Sequence, residues 1–127
     1  TDAGSQAFVK SFGEAYGFPP SQAAHTVYCQ TMLYADACER AGTFNPCGVA
    51  EALEGFDFDG LGNGPTHYRA DDHQCFKDVL VVKGKENPTS EFDLLEVVQV
   101  TPRAQVEYDP EHAMFAGGAL GNCNPGA

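Results

Sequence analysis

The chain has 127 residues and a mass of 13.6 kDa, is 43% hydrophobic, and carries 18 acidic against 7 basic residues for a formal charge of −11. That length suits one domain of common size, and the apolar share is too high for a disordered acidic tail. The charge argues against a nucleic-acid-backbone binder or a protein docked on an anionic membrane, and no apolar run approaches the ~20 residues of a membrane-spanning helix.

Three helical segments come first. Phe8, Phe12, Ala15 and Tyr16 fall on one helix face, and Gly17 stops that helix. Pro19-Pro20 keeps the following linker extended. Ser21 is a good N-cap for a longer helix, in which Ala24, Val27, Tyr28, Thr31, Ala35 and Cys38 follow helical spacing. Met32, Leu33 and Tyr34 widen this stripe, so the helix is expected to be heavily buried, and Gly42 ends it. Asn45 followed by Pro46 opens a short helix through Val49, Ala50 and Leu53 that ends at Gly55.

The second half changes period. Gly60, Gly62, Asn63, Gly64 and Pro65 mark turns, and 66–69 is a short strand candidate. The continuous apolar run 79–82 predicts a strand covered on both faces. A polar turn at 84–88 precedes a longer strand over 92–100, which Pro102 breaks. The glycine-rich stretch from Asp109 is expected to be a tail lying over a surface. Three helices followed by strands gives α+β order or one end of an α/β sheet, and the strands have no obvious partners for a complete sheet. Thr1 in place of an initiator Met, with no signal peptide before it, predicts a processed, cut or partial chain. The expected organisation is a partial α/β lobe over 1–108 and an irregular tail over 109–127.

No constellation carries convincing chemistry. The acidic glycine loop from Asp57 to Gly64 fails the EF-hand calcium pattern, because Leu61 and Tyr68 stand where an oxygen ligand and a Glu are needed. Asp71-Asp72-His73 reads as a turn-capping Asp pair with a polar His rather than a metal or acid–base set. Cys29 and His25, four apart, could make an activated thiolate, but their apolar helix favours a buried structural Cys. There is no nucleophile elbow, nucleotide loop or dinucleotide fingerprint, so an enzyme is not expected, nor a metal or other cofactor.

The five cysteines, at 29, 38, 47, 75 and 123, have no zinc-site spacing and favour an export compartment with a disulfide or two. Cys38, on the last turn of the long helix, and Cys47, on the first turn of the next, are expected to be bridged across a short loop. Such a loop stabilises by about 3 kcal/mol in the chain-entropy model. Cys123 is the expected partner for Cys75, as an anchor for the tail, which leaves Cys29 free.

The run from Tyr28 to Gly42, YCQTMLYADACERAG, resembles a helix of the leucine/isoleucine/valine-type periplasmic solute-binding proteins of ABC transporters. The likeness continues through GTFNPCGVAEALEGFDFDGLGNGPTHYRADDHQ, with a short helix holding an Ala-Leu pair, a Phe-x-Gly turn, a Gly-Pro-led strand and an Asp-His-Gln. It spans roughly Phe8 to Val100, and the ending GNCNPGA is similar to the cysteine-containing tails of some exported members. The resemblance implies the C-terminal portion of a two-lobed type I periplasmic-binding-protein fold of the α/β class, with three helices followed by strands. It implies a small polar solute such as an amino acid, amide or small carboxylate as ligand, and the missing N-terminal part and an ABC permease as partners. A periplasmic location follows. One family contact, just before the Tyr-led helix, maps approximately onto Ala23, Ala24 and His25. The alternative is a non-catalytic structural or interaction subunit that keeps this lobe portion and packs it on a larger complex.

Overall fold

The helix boundaries are set by local chemistry. In the computed structural model, which describes residues 3–59 and 64–109, α1 runs Ala3–Tyr16, α2 Gln22–Ala41 and α3 Pro46–Leu53. Gly17 closes α1 with φ +74° and donates its N–H to the Gly13 carbonyl at 2.8 Å. The Ser21 hydroxyl oxygen accepts the Ala24 N–H at 3.1 Å at the start of α2. Gly42 ends α2 in the left-handed conformation and donates to the Glu39 carbonyl. Asn45 Oδ1 accepts the Cys47 N–H at 2.9 Å, with Pro46 in the first helical position. Among the described residues no helix is long and apolar enough to cross a membrane.

After α3, Gly55 takes φ +68° and hands its N–H to the Tyr68 carbonyl, which turns the chain into a small sheet. That sheet is antiparallel, in the order β1 (Asp57–Phe58), β2 (Thr66–Tyr68), β3 (Cys75–Lys77), with Tyr68 opposite Cys75. β4 (Val79–Gly84) and β5 (Leu95–Thr101) then form a separate antiparallel ribbon with an irregularity between Val81 and Val82. A final turn of helix, α4 (Arg103–Val106), is capped by Asp78, whose Oδ1 accepts the Arg103 N–H at 2.7 Å. β1, β3 and α4 are too short to carry a sequence period.

The expected strand over 92–100 starts later, at Leu95, for a specific reason. Asp93 is held by Lys85 Nζ and by the Thr89 N–H at 3.1 Å and hydroxyl at 2.6 Å. Those bonds fold 85–93 into a closed loop and delay pairing.

The core lies in the seam between α2 and α3, where Ala37, Cys38 and Val49 are buried and Ala52 and Leu53 pack against them. α2 buries Cys29, Leu33 and Ala37 at four-residue spacing. The broader stripe predicted for this helix is not covered: Val27 is 67% exposed and Tyr34 54%. The run 79–82 is a strand, but every residue of β4 is exposed, so the expectation of two covered faces is corrected. In both cases apolar residues are present and the described residues supply no layer to bury them.

The Cys38–Cys47 bridge is also corrected. Both are free thiols. Val49 is the α3 residue that meets Cys38 in the seam, and Cys47, two positions earlier, lies roughly 200° round the helix from it. Cys29 and Cys75 form no disulfide among the described residues either. Cys123, with the tail over 110–127, lies outside the described residues.

Candidate functional site

The three residues singled out from the sequence sit at the N-terminal end of α2 and face three different surroundings. Ala23 is exposed at the helix start. Ala24, half-buried, forms part of the wall of an open cleft of about 510 Å³ between α1 and α2. His25 meets the Phe8 ring edge-on at 5.0 Å, and its Nε2 lies 3.4 Å from Cys29 Sγ. The structure therefore brings His25 into the seam between the helices and Ala24 into the cleft.

Phe8, Phe12, Tyr16, Val27 and Tyr28 give the cleft its apolar lining, and no charged side chain lines it among the described residues. Successive rings stand close enough to interact, with Phe8 4.9 Å from Tyr28 and Phe12 4.6 Å from Tyr16. The i, i+4 aromatic spacing on α1 builds this wall directly from sequence.

Burial pushes the Cys29 thiol up and outweighs the opposing pull of Lys77. The thiol is therefore kept protonated, the opposite of activation.

The Asp71-Asp72-His73 run diverges as expected of a capping turn. Arg69 Nε donates to Asp72 Oδ1 at 2.9 Å and its Nη2 to the other oxygen, which holds the Asp72 carboxyl below the usual carboxylate range. Asp72 also accepts the Gln74 N–H at 3.2 Å. His73, in a left-handed conformation with φ +56°, places Nε2 2.7 Å from Glu54 Oε1 and ties the turn to the end of α3. Asp71 joins neither pair and is exposed. In the acidic loop, Asp57 Oδ1 is 2.8 Å from His67 Nδ1 and 3.6 Å from Arg103 Nη1. Residues 60–63 of that loop lie outside the described ones. No group of three or more His, Cys, Asp or Glu that could hold a metal occurs among the described residues.

Sequence reading missed two residues that hold the lobe together. Arg69 is only 8% exposed; besides Asp72 it bonds the Tyr108 carbonyl and stacks 4.6 Å over the Phe76 ring. The only signal was an acid three residues after it. Tyr68 donates its hydroxyl to Gln30 Oε1 at 2.9 Å, joining β2 to α2. Burial, with Cys75 beside it, pushes that hydroxyl up to about 12. No local pattern announces a contact between residues 38 apart. Arg69 and Tyr68, with Leu53, Glu54 and His73, also border a smaller cavity of about 140 Å³.

A family model described as periplasmic binding protein matches residues 1–89. No curated protein sequence matches the chain. An amino acid ABC transporter substrate-binding protein from Pseudomonas fluorescens Pf-5 is similar at 26% identity and a TM-score of 0.72, over 87% of this chain and 29% of that one. A branched-chain amino acid ABC transporter periplasmic ligand-binding protein from Burkholderia xenovorans LB400 gives 23% identity and a TM-score of 0.75, over 83% and 28%. A periplasmic binding protein from Burkholderia mallei gives 21% and 0.76, over 91% and 31%. The chain thus spans less than a third of the length of each.

Proposed function

The chain belongs to the periplasmic binding protein family, and we propose that it is the C-terminal portion of the substrate-binding component of an ABC importer. Its cargo, on this reading, is a small polar solute such as an amino acid, amide or small carboxylate. The observation that carries the reading is the likeness of most of this chain to a stretch of an amino acid substrate-binding protein.

The mechanism is capture without chemistry. Two lobes close on the solute about a hinge, and closure is effective when each lobe moves as a rigid body. The α2–α3 seam and the Tyr68–Gln30 bond supply such rigidity here. Ala23, at the surface at the start of α2, Ala24 and His25 are the residues assigned to the solute, with His25, braced by Phe8, placed to donate to an anionic group or to stack on an apolar one. The rest of the polypeptide supplies the remaining grip on the solute and covers the bare faces of α2 and β4–β5. An ABC permease in a periplasm-facing membrane is the partner that receives the loaded protein.

The test is thermal denaturation and calorimetry of the natural polypeptide that contains this chain, against a panel of amino acids, amides and small carboxylates. A bound solute at 100 times its Kd stabilises by about 2.7 kcal/mol. Ala23→Trp is expected to weaken binding at least ten-fold, while Lys83→Ala, on the distant ribbon, leaves it unchanged. Failure of every solute to stabilise the protein would sink the reading; unchanged affinity in Ala23→Trp would remove the site assignment alone.

One observation favours a second reading, a non-catalytic interaction subunit: both faces of the β4–β5 ribbon are apolar and exposed. It predicts a stable species of this chain's own mass that co-purifies with a larger complex. The importer reading predicts a polypeptide several times heavier.

A further inference from the structure

We draw no further inference here: the strongest candidate, the open aromatic cleft between α1 and α2, carries nothing because nothing in the structure shows what covers it.

Discussion

The α2–α3 seam and the β4–β5 ribbon are built from the same kinds of residue and end in opposite environments. Val49 is 5% exposed in the seam, whereas Val81 is 45% exposed in the ribbon. The seam closes because two helices joined by a short capped turn can fold onto each other using local contacts alone. The ribbon's two strands satisfy each other's backbone bonds across one edge, but a two-stranded layer cannot cover its own faces. Apolar character is thus a necessary condition for burial, and a neighbouring layer is the sufficient one.

The largest consequence concerns the 127-residue chain by itself. With bare apolar faces and open strand edges it is expected to associate or to unfold without a sharp transition. Sedimentation together with calorimetry checks this, and a monomer with one cooperative melt would break the contrast between the two regions.

Matched substitutions sharpen it. Val49→Ala removes two buried methyl groups and is expected to cost about 2 kcal/mol in the seam. Val81→Ala in this chain is expected to stay within about 0.5 kcal/mol. In the longer polypeptide the second value should rise toward the first if the ribbon is covered there. Amide hydrogen exchange of each variant beside its parent, which reads local stability without a single global transition, decides it, and equal costs in the short chain would show that exposure in the ribbon is not what distinguishes the two sites.

A smaller effect is expected at the join between α2 and the three-stranded sheet. Tyr68→Phe loses the bond to Gln30, worth about 1 kcal/mol. Because the hydroxyl is raised to about 12 in the folded protein, its contribution is complete below the ordinary tyrosine value near 10. It is lost as pH rises through about 12. The substitution should flatten that alkaline loss, and an unchanged pH profile would count against the buried hydroxyl.

The smallest effect is confined to the ribbon's loop. The Lys85 ammonium and the Thr89 donors hold Asp93 down to about 2. A depressed carboxylate stabilises above its unfolded value near 4, and that contribution is lost as pH falls toward 2. Amide protection over 85–94, taken relative to the intrinsic exchange rate at each pH, should therefore fall in acid, and Asp93→Asn should remove the dependence while leaving the α2–α3 seam untouched.

Much of the local structure was legible in the residues. Ser21, Gly42 and Asn45 fix helix ends through bonds to backbone groups within four positions, and Pro46 through its fixed φ, and such chemistry needs no tertiary context. The likeness carried by the run from Tyr28 to Gly42 was sufficient to point to the family. The candidate site was legible only as a position: Ala23, Ala24 and His25 were placed together, but not that Phe8 would brace one and the cleft wall take another. Arg69 and Tyr68 escaped because their partners, Tyr108 and Gln30, are 39 and 38 residues away.

The sequence by itself determined where α1 ends, where α2 begins and ends, where α3 begins, which residues are apolar, and the family whose pattern they follow, since each depends on near neighbours or residue order. Only the tertiary structure decided which apolar residues are buried, that 79–84 pairs with 95–101 as a bare antiparallel ribbon, and that Cys38 meets Val49 rather than Cys47. Those outcomes depend on which surfaces meet in space, and a residue's hydrophobicity and spacing cannot specify a neighbour that another part of the fold must provide.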